Sequence, residues 1–486
     1  MKEKVYVGID IGTTNSKVLI LGKNGKILDL IKIETPRIFI NNVEYVNLFQ
    51  LENLIDEVLK DLKNFYLIQG MSFSSFGESV VPVKGGFSLH EPLMWYEECT
   101  LDIMKEIEPL VVKYAPYKIS GLKKSYTYSI YKILWMKKHL NFEEPDYWLP
   151  LSSYFVYKYT GKAIWDITQA CRTLFFDVHQ RKWIDELLDV VGLKVQLGQL
   201  AYTSNYIGKN NEGIPIFLGG HDHFTGLYGI SKILNTENIV YDSMGSASVI
   251  AALAYEKSNE LHFEKPFMEP TGILGAAFED NQYYLENSIK YYGKFLEWIM
   301  KLINITPNSV NFKKINEEIE KMGKIEEKIY FIGGGDLIAG EQKSRLNILN
   351  ASLNINPPEI VQSAYIYLCA MSKMIYDSLE RFISSDSIYI ASGGNTLNET
   401  FMNYKATLLE KYIYIFSTPE TTALGASIAS VIGSNDMVTL SNVSENLNIT
   451  KVEPIPKIKK PLLDSFERIS QLYEKVKRNR ITDILE

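Results

Sequence analysis

Residues 10–17 of the chain read DIGTTNSK, and this stretch decides the fold. It ends an alternating run from Val5 to Ile11, in which β-branched residues stand at every second position, a pattern typical of a β-strand. Ser16–Leu21 predicts a second strand, and Gly22–Gly25 predicts the turn into a third strand, Lys26–Ile33. This differs from a dinucleotide-binding domain, in which a helix follows the first strand.

The turn between the first two strands has the composition of a phosphate-binding loop. Gly12 lets a phosphate approach consecutive backbone N–H groups, and the hydroxyls of Thr13 and Thr14 add donors. Lys17 supplies a cation for phosphoryl oxygens, and Asp10 offers the oxygen ligand that Mg²⁺ prefers. The alternative is an ordinary hairpin turn, since glycine and threonine are common in turns. The combination of these residue types favours the phosphate loop.

A second stretch repeats this layout. Residues 238–250 read NIVYDSMGSASVI, which is again a strand, a glycine turn with small hydroxyl residues, and a strand. The repeat indicates a duplicated fold, and we predict two domains, residues 1–236 and 237–486. Apolar residues at helical spacing, as in Leu51–Leu62 and Val361–Ile375, alternate with strand-like runs, so the chain is mixed α/β.

An acid follows two glycines in the middle of the chain. Residues 218–223 read LGGHDH, at the end of a predicted strand. Asp222 is there a candidate general base toward a substrate hydroxyl, and phosphoryl transfer needs little more than that, in-line positioning and charge stabilisation. Two of the chain's six histidines, His221 and His223, flank it. A His-x-His metal site with the carboxylate is therefore an alternative, as is a structural turn.

A third glycine stretch lies late in the chain. Residues 392–398 read SGGNTLN and follow the predicted strand Ser387–Ala391. A strand that leads through a double glycine into a helix suits the close approach of a flat or charged ligand to the backbone. By itself, a double glycine after a strand is more often only a turn.

A further pair of segments suits a polyhydroxylated ligand. Residues 74–78 read SSFGE and residues 95–98 read WYEE. Carboxylates accept hydrogen bonds from hydroxyl groups, and an indole ring stacks on C–H faces. The alternative is a solvated loop beside a core tryptophan.

Composition narrows the class of protein. The chain has 486 residues, 51 Lys and Arg against 58 Asp and Glu, and a formal charge of −7, which argues against a nucleic-acid partner bound by bulk electrostatics. Its three cysteines form neither a CxxC pair nor a disulfide framework. The first residues do not resemble a signal peptide, and no apolar run approaches the ~18 residues of a membrane span. We therefore expect a cytoplasmic enzyme without a membrane partner.

Taken together, the order of these motifs resembles the FGGY carbohydrate kinases of the actin-like ATPase superfamily. The resemblance covers nearly the whole chain, and residues 159–183 and 423–427 also match the family pattern. It implies two ribonuclease-H-like α/β domains with a catalytic cleft between them. It also implies ATP and Mg²⁺ as cofactors, and transfer of the γ-phosphoryl group to a hydroxyl of a sugar or polyol, most closely of the pentulose or hexulose class.

The resemblance also implies residue roles. Asp222 is the expected catalytic base, and Asp10 and Asp222 are the expected metal ligands. The expected nucleotide-binding residues are Gly12, Thr13, Thr14, Asn15, Lys17, Gly245, Ser246, Gly393, Gly394 and Asn398. The expected substrate-binding residues are Ser75, Glu78, Trp95, Glu97, His221 and Asp222.

The chain departs from the family pattern at several positions. The usual Trp-x-Asp-x-Arg is Trp95-x-Glu97-x-Cys99 here, so the acid is one methylene longer and the arginine is lost. The usual Gly-Glu-Arg is Gly340–Gln342, and a common Gln and Asp are Asn403 and Thr407. The first departure lies on the sugar side, so a familiar substrate cannot be assumed. It motivates the alternative of a sugar- and nucleotide-binding pseudokinase or sensor on the same fold.

A filament-forming or Hsp70-like ATPase is the remaining alternative. An Hsp70 needs a peptide-binding domain after its nucleotidase, and little chain follows Asn398 to build one. The sequence does not specify an oligomeric state, and a homodimer is the expectation because dimers are the commonest assembly.

Overall fold

The computed structural model describes residues 2–193, 197–255, 261–268, 271–333, 346–416, 418 and 420–479, so Gly340–Gln342 lies outside the described residues. The strands of the first half are β1 (Glu3–Ile11), β2 (Asn15–Gly22), β3 (Ile27–Glu34), β4 (Arg37–Ile40), β5 (Val43–Val46), β6 (Tyr66–Ser75), β7 (Val80–Lys84), β8 (Phe87–Ser88), β9 (Tyr147–Pro150), β10 (Ile164–Asp166), β11 (Phe176–Asp177), β12 (Lys182–Trp183), β13 (Gln199–Ala201), β14 (Tyr206–Lys209) and β15 (Pro215–His221). Those of the second half are β16 (Ile239–Met244), β17 (Ser248–Tyr255), β18 (Ile273–Ala276), β19 (Gln282–Ile289), β20 (Tyr330–Gly333), β21 (Leu346–Leu349), β22 (Ile388–Ser392), β23 (Ile413–Phe416) and β24 (Ile449–Val452).

The α-helices alternate with these strands. They are α1 (Leu48–Phe65), α2 (Leu101–Tyr114), α3 (Tyr117–Ser120), α4 (Ser129–His139), α5 (Leu151–Thr160), α6 (Ile167–Ala170), α7 (Asp185–Val191), α8 (Asp222–Leu234), α9 (Gly293–Leu302), α10 (Ser309–Met322), α11 (Pro357–Leu379), α12 (Glu399–Leu409), α13 (Thr421–Gly433), α14 (Met437–Asn446) and α15 (Pro456–Asn479). None of the helices in the described ranges is long and apolar enough to span a bilayer.

The first large sheet has the strand order β14-β15-β6-β1-β2-β3. β1, β2 and β3 are antiparallel neighbours, whereas β6 runs parallel to β1 and β15 runs parallel to β6. The predicted strand, glycine turn, strand and turn at the start of the chain are therefore confirmed. Because β1, β6 and β15 are parallel, their carboxyl ends meet at one edge, which brings Asp10, Ser75 and His221 to the same rim of the sheet.

The second large sheet, in the order β18-β19-β17-β16-β22-β23-β24, repeats this topology. β16, β17 and β19 are antiparallel neighbours, while β22 runs parallel to β16 and β23 runs parallel to β22. The predicted duplication of a ribonuclease-H-like α/β fold is thus confirmed. In each half, the first two strands form a hairpin, and the glycine turn of that hairpin lies at the carboxyl end of the first strand.

Two helices join the halves. α8 follows β15, and α13 belongs to the second half of the sequence yet packs against α8 and β1. The contact is close because both sides carry glycines: a Cβ on Gly8 would lie 2.1 Å from the carbonyl oxygen of Ala423, and a Cβ on Gly229 would lie 2.4 Å from Cα of Gly425. The domain boundary between residues 236 and 237 stays a prediction. α13 follows that boundary in sequence but packs against the first half of the chain.

Candidate active site

The turn between β1 and β2 is the first candidate phosphate loop, called below the first phosphate loop. Thr35, which follows β3, supports it from below: its hydroxyl donates to the carbonyl of Gly12 at 2.7 Å, and its N–H donates to the carbonyl of Thr14 at 3.0 Å. A Cβ on Gly12 would lie 2.6 Å from the carbonyl oxygen of Asn15, so the tightness of the turn requires glycine there. The side chain of Thr14 is left exposed to solvent.

A chain of charges lies beside this loop. Lys17 Nζ lies 3.4 Å from Asp10 Oδ2 and 2.7 Å from Glu420 Oε2, which comes from the residue just before α13. Burial raises the pKa of Asp10 to about 6; Lys17 opposes that rise, and the nearby carboxylates of Asp222 and Glu420 add to it. Lys17 is thus placed at the loop, with its charge already balanced by two acids.

Asp222 is the first residue of α8. Its Oδ1 accepts a hydrogen bond from the backbone N–H of His223 at 2.7 Å, and His221 Nδ1 lies 2.9 Å from the same oxygen. Burial opposes ionisation of Asp222, but His223 and His221 outweigh it and lower the pKa below the ordinary aspartate value. The carboxylate is therefore ionised at neutral pH and available as a hydrogen-bond acceptor.

The double glycine before Asp222 has a steric reason. Gly220 has φ +99°, and a Cβ there would lie 2.6 Å from Asp166 Oδ1. Thr168 completes this packing, because its hydroxyl accepts from the N–H of His221 at 3.0 Å. The backbone thus turns from β15 into α8 in one conformation, which fixes the direction in which Asp222 leaves the sheet.

The two acids fit a magnesium ion. Asp10 Oδ1 is buried and has no hydrogen-bond partner, and a buried carboxylate oxygen without a partner is costly unless something coordinates it. Within the described ranges, no three His, Cys, Asp or Glu side chains are clustered to hold a metal by themselves. Mg²⁺ suits such a sparse set, since it is usually bound by one or two carboxylates together with substrate phosphates and water.

An arginine lies between two acids, one of which, Glu78, is among the residues expected to bind the acceptor. Arg172 Nε lies 2.8 Å from Glu78 Oε1, and its Nη1 lies 2.6 Å from Glu286 Oε1 on β19. Burial opposes ionisation of Glu286, but Arg172, followed by the two histidines beside Asp222, lowers its pKa. Glu78 has φ +66°, a left-handed conformation that is rare for a non-glycine residue. Arg172 therefore ties the two halves of the chain together next to the candidate base.

The other expected substrate residues, Trp95, Glu97 and Ser75, differ in burial and in the groups that they contact. Trp95 Nε1 donates to Thr13 Oγ1 at 3.1 Å, so the indole touches the first phosphate loop. Glu97 is half-buried, and burial raises the pKa of its carboxyl. Ser75 is fully buried, and its hydroxyl accepts from the N–H of Ser152 and from Gln169 Nε2, both at 3.1 Å. Ser75 thus lies beneath the rim with its hydroxyl already bonded to protein groups.

The second phosphate loop, residues 245–247, joins β16 to β17. Gly245 and Ser246 are exposed. Asn395 supports them, because its Nδ2 donates to the carbonyls of Met244 and Gly245, both at 2.9 Å. Gly393 has φ +95°, and a Cβ there would lie 2.6 Å from the carbonyl oxygen of Met244. The late glycine stretch and the second loop are therefore packed together.

The remaining nucleotide candidates lie next to this loop. A Cβ on Gly394 would meet nothing within 4 Å, so the backbone there faces open space. Asn398 caps α12 by accepting from the N–H of Phe401 at 3.1 Å, and its Nδ2 donates to the hydroxyl of Tyr365 at 2.8 Å. Asn316 Nδ2 donates in turn to Asn398 Oδ1 at 3.0 Å. Asn398 therefore shapes the wall of the site through its own hydrogen bonds.

Three charged residues of the site were not among the sequence candidates. Glu286 and Glu420 lie in no motif and reach the site only through the fold, while Arg172 lies in a segment matched only by resemblance. A signal for Arg172 was available, since a lone arginine among apolar and small residues invites an ionic partner. That partner is 114 residues away in sequence, so the sequence alone could not identify it.

The chain resembles known proteins over most of its length. Residues 5–229 match the N-terminal domain, and residues 243–434 the C-terminal domain, of the FGGY family of carbohydrate kinases. A glycerol kinase of Staphylococcus epidermidis is 22% identical over 458 residues, which cover 87% of this chain and 89% of that protein.

Solved structures share the fold. The xylulose kinase of Lactobacillus acidophilus superposes with a TM-score of 0.83 at 18% identity, covering 97% of this chain and 98% of that one. The glycerol kinase of Plasmodium falciparum, solved with ADP, gives a TM-score of 0.80 at 18% identity, with 97% and 98% covered. The two domain matches together span most of the chain, so it belongs to the FGGY family of carbohydrate kinases and is a phosphotransferase that uses an alcohol group as acceptor.

Proposed function

We propose that this kinase transfers the γ-phosphoryl group of ATP to a hydroxyl of a neutral sugar or polyol, with Asp222 as the general base. The observation that carries the proposal is the position of Asp222: it starts α8 at the same rim of the sheet as Asp10 and raises the pKa of that acid by its proximity. A candidate base and a candidate metal acid are thus close together at the rim where the first glycine loop leaves its sheet.

The low pKa of Asp222 is compatible with this role. An ionised carboxylate accepts a hydrogen bond from the acceptor hydroxyl and orients its oxygen toward the phosphorus. In a loose transition state the oxygen loses its proton late, so strong basicity is not needed. Asp222 receives that proton at a carboxylate oxygen, and its lowered pKa leaves it ionised beforehand.

The two loops would hold the nucleotide. Hydroxyls of Thr13, Thr14 and Ser246, together with backbone N–H groups, would donate to phosphate oxygens, and Lys17, whose charge Asp10 and Glu420 already balance, would be a further N–H donor. Mg²⁺ held by Asp10, Asp222 and phosphate oxygens would neutralise charge on the transferred group. The Plasmodium falciparum relative was solved with ADP, which supports an adenine nucleotide as a ligand of this chain.

The acceptor would lie against Glu78, Trp95 and Glu97. Carboxylates accept from sugar hydroxyls, and the indole packs against C–H faces. Arg172, a cation at this wall, is already paired with Glu78 and Glu286, so it is not available to bind the carboxylate of an aldonate. We therefore put a pentulose, a hexulose or a related polyol first, as the name of the xylulose kinase relative also suggests.

A pseudokinase or sensor is the second candidate. Glu97 replaces the shorter acid of the family pattern, and Cys99 stands where that pattern has an arginine, so the residues expected to bind the acceptor are altered. The presence of both Asp10 and Asp222 favours the enzyme, since a pure sensor needs neither a metal acid nor a base. A cytoplasmic location, where ATP is available and thiols stay reduced, belongs to the same proposal, as does a homodimer, which gel filtration would check.

The test is Asp222→Asn, assayed for ADP release with MgATP and a panel of triols, pentuloses, hexuloses and aldonates. We expect wild type to turn over at least one neutral acceptor, and the variant to lose about 10²–10⁴ in kcat while it still binds ADP. Asp61→Asn, an exposed acid on α1, is the matched control. Equal turnover by wild type and Asp222→Asn would remove the base, and acceptor binding without ADP release by wild type would support the sensor.

A further inference from the structure

A fully buried ion pair lies under the second phosphate loop, outside the residues that the proposed function uses. Asp242 on β16 and Lys405 on α12 contact each other, and both side chains are 0% exposed. Removal of two charges from water costs several kcal/mol per ion, which their attraction balances only when further hydrogen bonds satisfy both groups. A pair of this kind needs a reason beyond stability.

Every part of the pair is hydrogen-bonded. Asp242 Oδ1 accepts from the hydroxyl of Ser248 at 2.8 Å, and Asp242 Oδ2 accepts from the hydroxyl of Tyr389 at 2.8 Å as well as from Lys405. Lys405 Nζ also donates to the hydroxyl of Tyr292 at 3.0 Å. These hydrogen bonds can all form together only when the strands and the helix that carry them keep one relative arrangement.

Several of these partners border the phosphate loop. Met244, whose Sδ lies 3.7 Å from Lys405 Nζ, is the last residue before the loop, and Ser248 is the first residue after it. Tyr292 contacts the loop itself, since its N–H donates to the carbonyl of Ser246 at 2.8 Å. The ion pair therefore holds the loop at both ends and along one side.

The alternation of side chains along β16 explains why Asp242 does not take the metal-binding place that we propose for Asp10. Asp10 stands two residues before Gly12, whereas Asp242 stands three residues before Gly245, and successive side chains of a strand point to opposite faces. In the parallel pairings, Asp10 aligns with Ser74 of β6, and Ser243 holds the corresponding place opposite Ser392 of β22. Asp242 thus points into the core, toward Lys405.

We propose that the Asp242–Lys405 pair is a positioning element that holds residues 245–247 in the conformation that receives the nucleotide phosphates. This inference rests on the proposed function. Lys405 lies on α12, which begins directly after the nucleotide candidate Asn398, so the same helix positions the loop and one wall of the nucleotide site. The two charged groups do not contact the nucleotide themselves; they act by holding the loop in position.

The test uses the double variant Asp242→Leu/Lys405→Met in the full chain. Because both charges are removed together, no unpaired charge stays buried, and the fold should be retained. We expect the affinity for MgADP, measured by titration calorimetry, to fall about tenfold or more, and KM for ATP to rise in step. KM for the acceptor should stay within about twofold, because the proposed acceptor residues Glu78, Trp95 and Glu97 do not belong to the loop.

A second ion pair in the same half serves as the control. Glu327, three residues before β20, forms an ion pair with Arg468 on α15 and not with a residue of the loop. The side chain of Glu327 is 1% exposed. The variant Glu327→Gln/Arg468→Met should change the melting temperature and leave MgADP affinity unchanged. Ser248→Ala, which removes a single hydrogen bond to Asp242, is the milder probe should the double variant fail to fold, and we expect about a threefold loss of MgADP affinity.

The outcomes separate the two proposals. Wild type that binds MgADP, together with loop-pair variants that bind it equally well, overturns the positioning role and leaves the kinase proposal intact. An equal loss of affinity in the Glu327→Gln/Arg468→Met control also overturns it, because general destabilisation would then be sufficient. Wild type that binds no MgADP overturns the proposed function, and the inference that rests on it falls with it.

Discussion

The indole N–H of Trp95 donates a hydrogen bond to the hydroxyl of Thr13 at 3.1 Å. This contact joins the expected acceptor face to the first phosphate loop, which are 82 residues apart in sequence. If the Trp95 ring packs against the acceptor as proposed, this hydrogen bond would make acceptor binding and nucleotide binding depend on one another.

We expect Trp95→Phe to weaken this dependence. Phenylalanine keeps an aromatic face and loses the donor, and a hydrogen bond of this kind contributes about 0.5–1.5 kcal/mol. MgADP should bind wild type more tightly when the best acceptor is present, and the variant should lose most of that gain, as measured by calorimetry with and without acceptor.

Thr13→Val removes the same hydrogen bond from the other side. If the bond carries the dependence, the double variant Trp95→Phe/Thr13→Val should lose no more of the acceptor-induced gain than the larger of the two single losses. Additive losses would show that each residue acts by a route of its own and would contradict the role of the bond.

Arg172→Lys tests the link between the two halves. Lysine keeps the charge, but it lacks the fork that reaches Glu78 and Glu286 at once. We expect kcat/KM for the acceptor to fall about tenfold while MgADP affinity is retained. Lys84→Met, which removes a solvent-exposed pair with Glu143, is the control and should change neither value. A parallel loss of MgADP affinity in Arg172→Lys would count against a role confined to the acceptor side.

The glycine loops could be predicted from the sequence alone, whereas the contacts of Arg172 could not. Gly12 and Gly245 could be assigned from sequence because the strands and the turn that make each loop are neighbours in the chain. Glu286 and Glu420 could not, since each meets its partner only after two distant segments have folded together. Ser75 shows the opposite case: its motif was recognisable, yet its burial depends on α5 and α6, which no local pattern reveals.

The raised pKa of Asp10 predicts a stability that depends on pH in the metal-free protein. Its pKa is about 6 in the folded chain against an ordinary value of 3.8, so the folded state binds this proton more tightly than the unfolded state. The contribution of Asp10 to stability is therefore greatest below about pH 4 and is lost as the pH rises through about 6.

Asp10→Asn removes that titration. In EDTA, we expect the variant to be more stable than wild type above about pH 6, by about 1–3 kcal/mol, and the difference to shrink toward pH 4. Urea unfolding at several pH values measures it. Millimolar Mg²⁺ with ADP should raise the melting temperature of wild type more than that of Asp10→Asn. A wild type that gains stability over the variant between pH 5 and 7.5 in EDTA would contradict the direction of the shift.

The crossing of α8 and α13 gives the last prediction. A Cβ on Gly425 would lie 2.0 Å from the carbonyl oxygen of Thr225, so Gly425→Ala must push the two helices apart, at a cost of about 1–3 kcal/mol or more. Since α8 begins at Asp222, the shift should also lower kcat, whereas Gly208→Ala on β14, where a Cβ meets Thr160 at an ordinary 3.5 Å, should leave kcat unchanged. Urea unfolding and steady-state kinetics on the same samples measure both effects. Lower stability with an unaltered kcat would mean that the crossing supports the fold without positioning the base.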